Sequence, residues 1–317
     1  MANKDYLTRE QLTYVDNVIK TPKERELTAM SLFHTFSVPA WTKQTTYKVM
    51  TTAGQAAHYV DGADDIPVVD MNVTESASNL TDIAIAVRYS RQQLGEAQQV
   101  GMDILTPMAT RARRALAEAE NKLIFNGLHN SNPALNINGL TDPVSKLGVQ
   151  ESTAPVTFDA LADDPDNNLK IRNWLKDAKS KITHLAGYSN AQPILALPQS
   201  AIDQLDMPYN QYNPQMTVLQ MIRPWFKDIK AVPELEHQNF GSNGNKQDMG
   251  YIFLNDADIV QIPVAQQVHQ LPQEYHSGRT TVPYTERLGG LVMYYPHAFV
   301  QYRRHSRRYK PYLAYCR

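Results

Sequence analysis

Residues able to do chemistry are plentiful in this chain, but their spacing supports none of the usual reactions. The nine histidines, at 34, 58, 129, 184, 237, 269, 276, 297 and 305, include no i,i+4 pair and no carboxylate at ligand spacing, so no metal site is expected. Asp163, Asp164 and Asp166, and Asp256 with Asp258, stand beside Asn and Pro in turn-like context, where aspartate is favoured for its bonds to backbone. A weak calcium loop is the alternative there, without the ordered ligand pattern such loops use. GSNGNKQD at 241–248 has the glycines of a phosphate cradle but not its Gly-Lys-Ser/Thr ending, and reads as a hairpin tip. Ser, His and Asp are all present, yet neither a nucleophile elbow nor an oxyanion motif frames them. Catalytic residues, cofactors and metals are therefore all expected to be none.

One cluster does carry charge chemistry. Arg303, Arg304, Arg307, Arg308 and Lys310 crowd the C-terminal segment, with Tyr302, Tyr309, Tyr312 and Tyr315 among them. Such a segment can neutralise phosphates and stack on bases, or dock on an acidic patch of a neighbouring chain. The formal net charge of −1 favours the second.

Composition bounds what positions these residues. The 317 residues, 42% hydrophobic and 20% charged, describe a soluble globular protein long enough for two domains or one elaborated one. A near-neutral balance argues against a dedicated nucleic-acid binder. The single cysteine, Cys316, excludes disulfide frameworks within the chain. No apolar run approaches the ~18 residues that span a bilayer, so no membrane partner is expected. The opening MANKDYLTREQLTYVDN lacks an apolar signal region, which points to a reducing cytoplasm or something assembled there.

The best-defined element is a helix over 102–127. Leu105, Ala109, Ala112, Leu116, Ala119 and Leu123 recur in steps of four and three, on one narrow stripe of small and apolar side chains. Thr106 before Pro107 is the expected N-cap, Gly127 the expected left-handed cap, and Arg114–Glu118 and Glu118–Lys122 can pair on the outer face. Before it, residues 1–35 form a polar, weakly helical arm. WTKQTTYKVMTT and IPVVDMNVTE, within 41–75, read as two strands of a long hairpin broken by Gly54 and Gly62. A lone two-stranded ribbon is marginal in water. It needs a surface to lie on, and a partner or the chain's own domain serve equally well. LTDIAIAVRYS at 80–90 reads as a half-buried strand and RQQLGEAQQ as a short helix.

After the loop at 128–155, a helix over 168–186 places Ile171, Trp174, Leu175, Ala178 and Ile182 on one side, and Gly187 stops it. PILALP is a buried strand and QSAIDQL a helix. MTVLQMIRPWF is a helix interrupted at Pro224. EHQNF and YIFLN flank the 241–248 turn, DIVQIPV is a strand, and 286–302 holds two strand runs parted by Tyr295, Pro296 and His297. Strands and helices are mixed rather than alternating, which makes the fold class α+β.

The order of these elements resembles the major capsid proteins of tailed bacteriophages, whose fold is shared with encapsulin nanocompartments. In that family the long helix ends with an acidic residue, a few apolar residues and Gly, and a Gly-Leu turn follows a variable loop. Glu118, Glu120, Leu123, Ile124, Phe125, Gly127, Gly139 and Leu140 match. ERLGGLVMYYPHAF at 286–299 is similar to the family's last strand, with its Arg-Leu start and its Pro-x-Ala at Pro296 and Ala298. GQAAHYVDGADDIPVVD at 54–70 resembles the extended loop of the subgroup with a short N-terminal arm. The match touches roughly residues 45–300, and order and spacing carry it rather than any single motif.

The resemblance implies an N-terminal arm at 1–40 and an extended β-hairpin loop at 41–79. It implies a peripheral domain at 80–150 and 287–317, with 102–127 as its spine helix, and an axial domain at 151–286. The implied function is a virion protein, assembled in the host bacterial cytoplasm, that forms an icosahedral shell around double-stranded DNA. Its implied partners are further copies in hexamers and pentamers, non-specific DNA on the inner face, and separate scaffolding, portal and decoration proteins. An encapsulin-like shell around a cargo enzyme is the alternative. An enzyme of unrecognised type is a third, and would need a pocket of convergent titratable groups. Residues expected to serve assembly are Lys43, Lys48, Gly54 and Gly62 in the loop and Arg303, Arg304, Arg307 and Arg308 in the tail. Some relatives weld their shells by a Lys–Asn isopeptide bond. Lys43 or Lys48 could supply the lysine, but no asparagine follows Asn255, so a non-covalent shell is expected.

Overall fold

The computed structural model describes residues 24–53, 70–132, 135–142, 147–161, 164–209, 215–236 and 248–303. The first part of the arm, Gly54 and Gly62, the hairpin tip at 241–247, and Arg304, Arg307, Arg308 and Cys316 lie outside them.

One long strand organises the first sheet. β3 (Asp70–Ser90) pairs antiparallel with β2 (Gln44–Ala53) through Asp70–Asn79, then with β10 (Arg279–Gly289) through Leu80–Ser90. The hairpin and the strand at 80–90, expected as separate pieces, are therefore a single element. Beyond β10 the sheet continues through β8 (Val260–Gln270) to β1 (His34–Ser37), which runs parallel to β8. Two short strands, β9 (Glu274–His276) and β11 (Val292–Met293), pair with β10 and β8. The β9–β10 turn uses Ser277 at φ 50° and Gly278 at φ 78°, the two positive-φ residues of a tight hairpin turn.

The short helix α1 (Ala29–Leu32) precedes β1, and α3 (Leu105–Asn126) lies across this sheet. Ala112 and Leu116 bury against Val282 and Tyr284, flanked by Ile83, Ile85 and Val87. Two details of the expected helix are corrected. Asp103, not Thr106, caps it, its Oδ1 accepting from the Leu105 and Thr106 amides at 2.9 and 3.3 Å; a carboxylate also answers the dipole at a helix start. Leu105 lies outside the packed stripe and is exposed. α2 (Arg91–Val100) precedes it, with Ser90 and Gln93 forming a reciprocal capping box.

The end of α3 explains the spacing from Gly127 to Gly139-Leu140. Gly127 takes φ 68° and ψ −171°, outside the left-handed helical region expected of a cap. The chain instead bridges from Leu128 to Ile137 and returns over the last turn, where the Leu140 and Thr141 amides bond the carbonyls of Ile124 and Phe125 at 3.0 and 2.8 Å. Those carbonyls would otherwise be unsatisfied at the helix end. A Cβ on Gly139 would meet the Gly127 amide and the Phe125 carbonyl well inside 3.0 Å, all of it backbone. Only glycine fits.

The second sheet has the order β4 (Gln150–Thr153), β12 (Phe299–Arg303), β7 (Met249–Phe253), β5 (Ile194–Leu197) and β6 (Asp228–Ala231). α4 (Pro165–Thr183), capped by Asp164, packs on it with Ile171, Trp174, Leu175, Ala178 and Ile182 all buried. Trp174 and Phe158 meet Tyr302 edge-on, at 5.1 Å each, and Trp174 donates to Ser152 Oγ. α5 (Gln199–Leu205) and α6 (Val218–Ile222) complete this core, and residues 223–225 continue α6 as a 3-10 turn at Pro224. β6 and β9 carry no strand signal in their sequences. Sheet membership also divides the closing segment: β10 crosses the expected boundary at 286/287, and β12 pairs in the second sheet while β11 pairs in the first.

Candidate functional site

The feature that stands out from the folded body is the ribbon of β2 and β3. No described side chain at 44–50 or 71–79 is fully buried. Met50 opposes Val73 in register, and Met71 shares their face two residues along; they are 55%, 53% and 63% exposed. Side chains alternate across a strand, so these three form one apolar face. Lys48 sits on the same face, directly opposite Glu75, with Nζ 3.8 Å from Oε2. An exposed pair of this kind contributes little stability.

The ribbon's root is held firmly. Arg287 grips Asp82 through Nε and Nη2, both at 2.5 Å, and reaches the Ala40 carbonyl at 3.4 Å. The guanidinium holds the Asp82 carboxyl below its usual range, chiefly by hydrogen bonding. Trp41, 83% exposed, lies over the same guanidinium at 5.8 Å. Tyr47 packs edge-on to Tyr294 at 5.2 Å, and the Leu80 amide bonds the Lys43 carbonyl. At Gly289, where β3 passes from β10 to β2, a Cβ would strike Pro263 at 2.8 Å and the Asn79 carbonyl at 2.9 Å. The result is a fixed root and an uncovered shaft.

The chain entering from residue 24 runs along α3. Glu24 bonds Arg111 and Arg114 at 2.5 and 2.9 Å, and Arg114 also reaches Glu118 and the Arg25 carbonyl. Deeper, Glu234 accepts from Thr28 Oγ1 and Asn121 Nδ2, both at 2.7 Å, while Asn121 Oδ1 accepts from the Ala29 amide. All three side chains are buried. This network ties the arm, α3 and the 3-10 turn at Pro233–Leu235 together, and sequence spacing carried no sign of it. Two more pairings were missed for the same reason. His129 Nε2 lies 2.9 Å from a fully buried Asp142 Oδ2. Glu120 on α3 and Glu286 on β10 share the helix–sheet space, and burial followed by the charge of Glu286 raises Glu120 to about 7.

Of the residues expected to serve assembly, only Lys43, Lys48 and Arg303 lie among the described ones. Lys43 precedes β2, and Lys48 lies within it opposite Glu75. Arg303 ends β12 in the other sheet. Among the described residues no group of three or more His, Cys, Asp or Glu is placed to hold a metal ion. No described helix is long and apolar enough to cross a membrane. The geometry is that of a ribbon with an exposed apolar face, anchored at its root to the first sheet.

Comparison with known proteins bears on that geometry. The capsid of Myoviridae phage XM1 is similar in structure, with a TM-score of 0.73 at 11% identity, over 94% of this chain and 99% of that one. The Gordonia phage Cozz structure matches at 0.62 and 14% identity, over 93% and 91%. A virus-like particle from Pyrococcus furiosus matches at 0.55 and 13%, over 86% and 91%. Identities this low establish the fold alone, which is the tailed-phage capsid fold the sequence resembled. No curated protein matches the chain. A family profile described as major capsid protein covers residues 54–303, from the ribbon to the last strand. The chain belongs to the major capsid protein family, and it is a structural subunit of a capsid.

Proposed function

We propose that many copies of this subunit close into an icosahedral shell of hexamers and pentamers around double-stranded DNA, with the β2–β3 ribbon lying over the adjacent copy. The exposed apolar face of Met50, Met71 and Val73 on a firmly rooted ribbon carries this reading. Such a face gains only when a partner covers it. In this reading the first sheet with α3 is the peripheral domain and the second sheet with α4 the axial domain. Arg303, Arg304, Arg307 and Arg308 would then meet packaged DNA or an acidic patch on a neighbour. Scaffolding, portal and decoration proteins would be separate chains, and assembly would take place in the bacterial cytoplasm.

Electron microscopy of the purified protein tests the shell. Closed icosahedral particles are expected, and a small discrete oligomer would refute the reading. Nuclease-protected DNA inside particles made in the native host is the expected cargo. Protein cargo without DNA would favour the encapsulin-like alternative. On a denaturing gel the shell should run as monomer; a ladder would show covalent welding.

A further inference from the structure

We propose that Glu120 and Glu286 form a binding site for one hard divalent cation, Mg²⁺ or Ca²⁺, in the cavity between α3, β10 and the β1–β8 pair. Both carboxylates line this cavity of about 600 Å³. Glu286 is 5% exposed, and its Oε2 has no hydrogen-bond partner. Nearly every buried polar atom in a native protein is satisfied, so such an oxygen marks an unfilled contact. Among the described residues the cavity wall holds no lysine or arginine, and His34 is its one potentially cationic group. Arg287, the next residue in β10, is committed to Asp82 through two bonds, so it does not answer Glu286.

The remaining wall suits a cation that prefers oxygen. Thr35, Ser37 and Gln267 add hydroxyl and amide oxygens around the same space. With two carboxylates the protein would supply only part of a coordination sphere, and several waters would complete it within a cavity of this size. That combination fits Mg²⁺, which keeps water and commonly takes one or two carboxylates, and fits a weak Ca²⁺ site. The site joins α3 to the central strand of the first sheet, so occupancy clamps the helix to the surface it packs on.

The test uses the full chain stripped with chelator and heated in MgCl₂, in CaCl₂, and in NaCl of matched ionic strength. A divalent ion at roughly ten times its Kd should raise the melting temperature by about 2–3 °C over the NaCl control. Glu286→Gln, close in shape and uncharged, should abolish the difference. A shift equal to that in NaCl, or one retained in Glu286→Gln, overturns the site. Should that variant not fold, Mn²⁺ binding followed by electron paramagnetic resonance decides. One ion per chain in the native protein and none in Glu120→Gln is expected; equal binding by both refutes the proposal.

Discussion

At Glu120 two effects act in the same direction. Burial disfavours its charge, and Glu286 nearby disfavours it further, which places the carboxyl at about 7 against an ordinary 4.5. Because the folded chain holds this proton more tightly than the unfolded chain, the contribution is full below pH 4.5. It is lost as pH rises through about 7. In chelator-containing buffer, stability should therefore fall between pH 5 and 8, and Glu120→Gln should flatten the slope. With Glu120 partly solvated, the gain from that substitution at pH 8 is on the order of 1 kcal/mol. Denaturant unfolding at the two pH values measures it, and an unchanged slope would place the cause elsewhere. The Thr28–Asn121–Glu234 network behaves differently, since each partner is already satisfied. Asn121→Leu leaves a buried carboxylate with one donor fewer and the Ala29 amide with none. The expected loss is about 2–4 kcal/mol, read as a lower denaturation midpoint. A loss below 0.5 kcal/mol, the range of an ordinary surface change, would remove the network from the structure's main supports.

At the scale of elements, α3 works because its stripe is small. Ala112 lies 3% exposed against the sheet, whereas Ala119 is only partly buried. Leucine at 112 should overpack the contact with Val282 and Tyr284 and cost roughly 1–3 kcal/mol, with a smaller cost at 119. Equal effects at both positions would mean that the helix does not use this face as described. β3 is the second decisive element. Its inner half lies between β8's neighbour β10 and the face covered by α3, so register there is set by burial. Its outer half inherits that register through a continuous backbone and pairs with β2 without a core of its own. The Arg287–Asp82 grip and the close approach at Gly289 stand where the strand changes partner.

At the scale of the whole molecule, the proposed shell gives the ribbon the contact with a neighbouring copy and leaves the two-sheet body to the core of each subunit. Substituting aspartate at Met50 and Met71, which are not directly opposite one another, places charge on the uncovered face and touches no core. Monomer stability should change by no more than about 0.5 kcal/mol. Shell formation, scored by sedimentation and electron microscopy, should drop sharply, because a charge buried in an interface without a partner is unfavourable. Normal shells from the double variant would mean that the ribbon's apolar face is not an intersubunit contact.

The sequence by itself determined what is periodic or tightly local. The five-residue face of α4 and most of the small stripe of α3 were legible, because helical spacing is written into neighbouring residues, whereas the backbone contact that requires glycine at 127 and 139 was not. The family resemblance, resting on the order of such pieces, was legible as well. The tertiary structure alone decided which strands lie side by side. It joined 70–79 to 80–90 in a single strand, split the closing segment between two sheets, and revealed β6 and the β9–β10 turn as sheet elements. It also brought Asn121 to Glu234 and Glu120 to Glu286, across more than a hundred residues. Such pairs depend on packing between distant elements, and nothing in the spacing along the chain encodes which elements will meet.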